Sequence, residues 1–186
     1  TIFGSVDRAA PQGKRELRTG FEQLKLAAPP RYLCQKGDSS MVKIRGLRAA
    51  DRAAWERLYV GYAAFYKVTQ TPEMRETVWG WLHDPAHGSE ALVAESDGEV
   101  VGLAHFRPFA RPLSASVGGF LDDLFVDPDL RGSGAAEALL KALEAEGRSR
   151  GWTVIRWITA EDNYRARGLY DRVADKTKWV TYDIKL

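Results

Sequence analysis

Two acids, Asp122 and Asp123, stand side by side in an otherwise apolar run from Leu121 to Val126, and that run leads through Asp127-Pro128 into Arg131-Gly132-Ser133-Gly134-Ala135-Ala136. Carboxylates are costly to bury without partners, so a pair set into an apolar strand points to work on a cation or a proton. Neighbouring strand residues face opposite ways, so one acid is expected to face a cleft and the other to pack or cap elsewhere. The residues after the strand could hold an anion. Gly134 lets backbone come close to a ligand, and a helix starting there offers unpaired amide N–H groups and the positive end of its dipole. Further along, Asn163 and Tyr170 are seven residues apart, about two helical turns, which puts both on one side of a helix.

The glycine turn is not a P-loop, which ends its glycine run with Lys and Ser or Thr, nor a dinucleotide turn with its acid about 20 residues on. Instead, Arg131-x-x-Gly134-x-Ala136 resembles the Arg/Gln-x-x-Gly-x-Gly/Ala signature of the GCN5-related N-acetyltransferase (GNAT) family, preceded as in that family by an apolar strand ending in Val126-Asp127-Pro128. The resemblance implies that the anion is the pyrophosphate of acetyl-coenzyme A, held by the backbone of Arg131, Gly132, Ser133, Gly134, Ala135 and Ala136. It also implies that the strand backbone at Leu124, Phe125 and Val126 pairs with the pantetheine arm, that Asn163 contacts the coenzyme, and that the Tyr170 hydroxyl protonates the departing thiolate.

Acetyl transfer to an amine needs a base, because an alkyl ammonium has a pKa of about 10.4 and almost none is neutral at pH 7. The stretch from Leu121 to Val126 is similar to the strand of the diamine and polyamine N-acetyltransferases. On that likeness Asp122 binds the ammonium and relays its proton, with Asp123 second. Arg57 to Val68 is similar to the first helix of the yeast branch that acetylates histones, polyamines and related amines, which implies that Tyr62 and Tyr66 line the amine pocket. Relatives of that branch imply a homodimer with the closing strands near the interface, where Trp179, Val180 and Tyr182 would sit. After Tyr170 the chain departs from the family: Asp171 to Asp175 replaces the usual Gly-Phe, which bears on the turn into the last strand. The implied activity is direct transfer from acetyl-coenzyme A to a primary amine, whether a polyamine, a small amine or amino acid, or a lysine side chain. The alternative is a non-catalytic acyl-coenzyme A sensor; intact Asp122, Asn163 and Tyr170 argue against it.

The elements that must position these residues follow from periodicity. Val42 to Leu47 alternates as a strand, and a helix after Asp51 gathers Trp55, Leu58, Tyr59, Tyr62, Phe65 and Tyr66 on one face, with Asp51 as its cap. Thr71-Pro72 starts a second helix. Ser96-Asp97-Gly98 joins strands Ala91–Glu95 and Glu99–Phe106 as a hairpin. Gly119–Val126 is a central strand, Ala136, Leu139, Leu140 and Leu143 form the inner face of the helix after the turn, and Thr153–Thr159 is β-prone. Asp162-Asn163 opens a last helix, and Trp179–Leu186 closes with a strand. The order β-α-α-β-β-β-α-β-α-β argues a mixed α/β sheet with helices on both faces; the resemblance makes that sheet mostly antiparallel.

With 186 residues the chain has room for one domain and a tail. Residues 1–40 carry seven Lys/Arg against four Asp/Glu and read as a basic extension, leaving 20 against 21 in 41–186, the expected N-acetyltransferase domain starting at Met41. The body is therefore not a basic nucleic-acid face. No apolar run approaches the roughly 18 residues of a membrane span and no secretory stretch stands at the N-terminus, so a cytoplasmic location is expected. One cysteine, Cys34, gives no disulfide or zinc framework, and it lies outside the expected domain, so transfer without an acyl-enzyme is expected. His83, His87 and His105 lack metal-ligand spacing and read as surface or packing residues; no metal is expected.

Overall fold

The computed structural model describes residues 42–186 and the backbone of residues 32–33. The rest of the basic extension, Cys34 and the domain start at Met41 lie outside the described residues.

Six strands form one sheet in the order of the chain: β1 (Tyr32–Leu33), β2 (Lys43–Gly46), β3 (Glu90–Ser96), β4 (Glu99–Arg111), β5 (Ser116–Val126) and β6 (Ile155–Arg156). All pairs are antiparallel except β5 with β6. Helices α1 (Arg52–Phe65) and α2 (Pro72–His83) lie between β2 and β3, α3 (Ala135–Ser149) follows β5, and α4 (Tyr164–Val173) follows β6. The β3–β4 hairpin turns at Asp97 and Gly98, both with positive φ (52° and 83°), as an Asp-Gly pair in a two-residue turn requires. Thr71 caps α2, its hydroxyl accepting from the Met74 amide at 3.3 Å. Asp51 precedes α1 as expected but does not cap it; its carboxylate is taken by the Arg45 guanidinium at 2.6 and 2.9 Å and by the Arg48 amide at 2.8 Å.

The sheet is covered on both sides. α3 lays Ala135, Ala138, Leu139, Leu140, Ala142 and Leu143 on an aliphatic face made by Ile44, Leu92, Val101, Ala104 and Leu121. α1 lays Trp55 and Leu58 against Val93, Val100, Leu103 and Phe125 on the opposite face.

Two irregularities in β5 shape the site. His105 lies opposite Asp123 and Phe106 opposite Leu121, so Asp122 is an extra residue in the ladder, a β-bulge. Further, β6 pairs with β5 only at Gly119 and Phe120. Beyond that point the two strands part, leaving Leu124 to Val126 on an open edge. Gly119 permits the junction: a Cβ there would lie 2.3 Å from the Trp152 ring.

The end of the chain differs from expectation. The strand anticipated over Thr153–Thr159 is two residues long, and Trp179–Leu186 forms no strand. A strand is stable only when its amides find a ladder, and no described segment runs beside 179–186. Trp179, Tyr182 and Ile184 are 84%, 88% and 90% exposed. Where Gly-Phe would follow Tyr170, Asp171–Val173 instead continue α4, which ends at Val173.

Candidate active site

Where β5 and β6 part, a cavity of about 580 Å³ opens. Its walls are the β5 edge at Leu124, Phe125 and Val126, the turn and first residues of α3 from Arg131 to Glu137, the inner side of α4 with Asn163, Ala166, Leu169 and Tyr170, and Tyr62, Phe65 and Tyr66 of α1. The fold therefore brings every expected coenzyme-binding residue, together with Tyr170, Tyr62 and Tyr66, to one cavity.

The turn is closed by its own hydrogen bonds: the amides of Leu130, Arg131 and Ser133 donate to the carbonyls of Asp127, Pro128 and Leu130 at 3.0, 3.4 and 3.3 Å. The Asp127 carboxylate accepts from the Asp129 amide at 3.1 Å and binds Arg57 of α1 at 2.5 Å, which fixes the turn to α1. The Arg57 hydrogen bond holds the Asp127 carboxyl below its ordinary range, against a smaller push from burial. Gly132 and Gly134 have φ of 96° and 86°, a region other residues avoid, and nothing of the protein would meet a Cβ on Gly134. Ala138 is the first α3 residue whose amide bonds back along the helix, to the Gly134 carbonyl at 2.9 Å. Ahead of it the Ala135 amide donates to the Ser133 hydroxyl at 3.4 Å, and the positive end of the α3 dipole faces the cavity, which suits an anion. The Arg131 guanidinium rests over Phe65 and Phe125 at 5.8 and 6.0 Å from their ring centres, at the cavity wall.

On α4, Asn163 caps the helix: its Oδ1 accepts from the Ala166 amide at 3.4 Å and its Nδ2 donates to Thr159 at 3.2 Å. Tyr170 stacks edge-on to Trp157 with ring centres 5.3 Å apart. Burial pushes its hydroxyl up to about 12, with Tyr66 adding to the effect, so it carries its proton at neutral pH and can donate one.

The acids do not follow simple alternation. Leu121 and Leu124 both belong to the α3 side of the sheet, and the bulge between them turns both acids toward the other side. Asp122 meets Arg107 of β4 at 3.3 Å in a half-exposed pair. Burial raises its carboxyl above the ordinary range, Arg107 opposes this and Asp123 adds to it. Asp123 is more enclosed: its Oδ2 is 2.8 Å from Nδ1 of His105, and Nε2 of His105 accepts from the Trp55 indole N–H at 2.9 Å. Tyr59 and Tyr62 have hydroxyls raised well above their usual range, first by burial and next by the Asp123 charge. Tyr62 stacks on Tyr59, meets Tyr66 edge-on at 5.0 Å and touches Phe125 at 5.9 Å, so it bridges the Asp123 region and the cavity. The Gln70 Oε1 is buried with no hydrogen-bond partner among the described residues.

Neither acid lines the cavity itself; they stand behind Tyr62. Sequence reasoning missed Phe65, Arg165 and Arg172 on the cavity wall, and Trp55, Tyr59, His105 and Gln70 behind it. Arg165 and Arg172 are spaced two helical turns apart, a signal as readable as that of Asn163 and Tyr170. Among the described residues, no group of three His, Cys, Asp or Glu is placed to hold a metal ion, and no helix is long and apolar enough to cross a membrane.

Comparison with known proteins places this cavity in context. The chain is 26% identical over 151 residues to the D-amino-acid N-acetyltransferase HPA3 of Saccharomyces cerevisiae, covering 80% of this chain and 93% of that protein. It is 34% identical over 116 residues to an aminoglycoside N(6′)-acetyltransferase type 1 of Stenotrophomonas maltophilia, covering 61% and 72% of the two chains. Among solved structures, the ribosomal-protein-alanine N-acetyltransferase of Brucella melitensis biovar Abortus 2308 superposes with a TM-score of 0.67 at 27% identity, covering 78% of this chain and 99% of that one. The aminoglycoside N-acetyltransferase AAC(6′)-Iy, solved in complex with CoA, shares the fold with a TM-score of 0.67 at 18% identity, covering 81% and 99%. The signature of the acetyltransferase (GNAT) family spans residues 55–174, from Trp55 behind the acids to Ala174 just past α4, and the chain belongs to that family of N-acetyltransferases.

Proposed function

We propose that this enzyme transfers an acetyl group from acetyl-coenzyme A directly to a primary amine that binds as a cation. The observation that carries the reading is the single cavity in which an open strand edge, a helix-start cradle and a protonated tyrosine converge, with a carboxylate set behind its aromatic wall. Bound there, acetyl-coenzyme A would supply an acetyl thioester and a thiol leaving group. The open space over Gly134 and the start of α3 fit its pyrophosphate, the Leu124–Val126 edge fits the amide-bearing arm, and Arg131, Arg165 and Arg172 are cations on the same wall. Asn163 shapes the start of α4, and Tyr170 keeps a proton on its hydroxyl for the sulfur side of the reaction.

On the amine side we assign Asp123 the primary role and Asp122 the second, the reverse of the order expected from the strand resemblance. Asp123 has its geometry fixed by His105 and neighbours two tyrosine hydroxyls, suited to an ammonium, whereas Asp122 is engaged by Arg107. Asp123 orients the ammonium and accepts its proton, directly or through water, and Tyr62 and Tyr66 shape the passage to the cavity. The acceptor class is a polyamine, a small amine or amino acid, or a lysine side chain; the likeness to a yeast D-amino-acid enzyme supports the small amino compounds. The domain is proposed to begin at Met41, with Tyr32–Leu33 of the preceding basic extension adding an edge strand to its sheet. A homodimer is proposed as well, supported by the alternating, exposed Val180, Tyr182, Ile184 and Leu186.

The test is release of coenzyme thiol from acetyl-coenzyme A over a panel of diamines, spermidine, D- and L-amino acids and a lysine peptide. Amine-dependent release that falls in Asp123→Asn more than in Asp122→Asn is the expected result. Saturable coenzyme binding with no release on any amine would favour a sensor instead.

A further inference from the structure

Trp55 and His105 are 50 residues apart in sequence and both are fully buried, yet they meet in a hydrogen bond whose direction is fixed by chemistry. An indole N–H only donates, so the Nε2 of His105 must accept, and its lone pair is committed. The ring proton therefore sits on Nδ1, 2.8 Å from the Asp123 carboxylate. This arrangement excludes His105 as a proton acceptor for the reaction, although it is the buried histidine nearest the acids. It leaves the ring able to do one thing, which is to donate to Asp123.

We propose that Trp55 and His105 are positioning residues that hold the Asp123 carboxylate for the cationic acceptor: the indole locks the imidazole in its neutral, Nδ1–H form, and that N–H fixes Oδ2 of a carboxylate that the amine then shares with the neighbouring tyrosine hydroxyls. The inference rests on the reading of Asp123 as the acceptor carboxylate. Its physical point is charge. A neutral donor orients Asp123 without cancelling its field, whereas an imidazolium at the same distance would form an ion pair and compete with the ammonium. Trp55 prevents that pair by occupying the site of the second proton. The surroundings agree: the ring meets Tyr59 edge-on at 5.0 Å, and the charged or titratable groups around the pair are Tyr59 and Tyr62 from α1, Asp122 from β5 and Arg107 from β4, with Arg52 over the outer face of the Trp55 ring at 5.5 Å. Arg107 is matched by Asp122 and Arg52 by Glu56 and Glu76, so Asp123 has no cation of its own among these neighbours.

The relay is tested by kinetics on the best amine of the panel and by imidazole ¹⁵N NMR of the parent protein. The spectrum is expected to show His105 as the Nδ1–H tautomer; an Nε2–H signal would overturn the proposal. Trp55→Phe keeps an aromatic ring but frees Nε2, so a second proton can be placed on the imidazole beside Asp123. Its KM for the amine is expected to rise about tenfold between pH 8 and pH 6 beyond any change in the parent, with kcat and the coenzyme KM little altered. A profile that superposes on the parent would overturn the relay.

If that variant fails to fold, two substitutions at His105 decide the matter. Asn places an amide N–H at the position of Nδ1, whereas Leu places none. His105→Asn is expected to keep the amine KM within about threefold and His105→Leu to raise it about ten- to a hundredfold, the range for losing a hydrogen bond to a charged group, with coenzyme KM unchanged in both. Equal effects would overturn the proposal. Asp123→Asn separates the two levels of the reading: an unchanged amine KM there would sink the acceptor assignment, while a raised KM with silent Trp55 and His105 variants would sink the relay alone.

Discussion

The two faces of the sheet are built from different chemistry. Under α3 the centre is aliphatic, with Leu139 and Leu143 sealed among Ile44, Leu92, Val101 and Ala104, and the aromatic rings of Phe106, Trp152, Trp157 and Tyr170 join the same cluster. Under α1 they are aromatic and hydrogen-bonded: Trp55 touches Tyr59, Trp79 and His105, and Tyr62 spans Tyr59, Tyr66 and Phe125. Aliphatic packing gives stability without directional bonds, whereas indole, imidazole and carboxylate fix one another's orientation through hydrogen bonds. The α3 face thus holds the sheet and presents its helix start to the cavity, while the α1 face aims the functional side chains.

Substitutions on the two sides should separate accordingly. The largest effect is expected for Tyr170→Phe, which removes the proton donor and little else: kcat should fall about 10²- to 10⁴-fold with coenzyme affinity and melting temperature retained. Turnover that survives would transfer the proton to another group. On the aliphatic side, Leu139→Ala should cost about 2–5 kcal/mol, read by urea unfolding, while the folded fraction keeps its KM values. A change in KM without loss of stability would break the division of labour between the faces. Gly134→Ala tests the junction between them. At φ of 86° a side chain is strained by about 1 kcal/mol, and the Cβ enters the space over the cradle, so the coenzyme KM should rise about tenfold with a small drop in melting temperature. An unaltered coenzyme KM would remove the cradle from the site.

What the sequence revealed and what it hid follow the range of the interactions. The cradle from Arg131 to Ala136 and the pair Asn163 and Tyr170 were legible because each is local: a few residues and a helical period determine them. The acids were half legible. Their presence in an apolar strand is a local fact, but the bulge that turns both to one side is set by pairing with β4, and no pattern within Leu121–Val126 encodes it. Trp55 reads as a core residue at helical spacing and His105 as a packing residue; both are buried as such, and only their meeting across 50 residues gives them a further role. Asp51 reads as a helix cap, yet a guanidinium outcompetes the backbone for its carboxylate. The period-2 pattern of Trp179–Leu186 is a strand pattern, but the ladder it needs is not supplied by any described segment of the same chain.

The smallest effect, and the one that probes how α1 is tied to the sheet, concerns that same Asp51. Arg45 of β2 lies between Asp51 before α1 and Glu95 of β3, at 2.6 and 2.7 Å, so one guanidinium joins the helix start to two strands. Burial alone would raise the Asp51 carboxyl, but hydrogen bonds from Arg45 and the Arg48 amide outweigh it and hold the carboxyl below its ordinary range. A carboxyl lower in the folded than in the unfolded chain adds stability that is fully present above its unfolded value, about 3.9, and that drains away as the pH falls through the folded value. Asp51→Asn keeps the size and cannot titrate. It should therefore be less stable than the parent at pH 7, with the difference narrowing below about pH 4, as read by urea unfolding at both pH values. A difference that stays constant with pH would mean that the clamp acts through shape and neutral hydrogen bonds, and would leave charge as a device used on the α1 face only where Asp123 meets the acceptor.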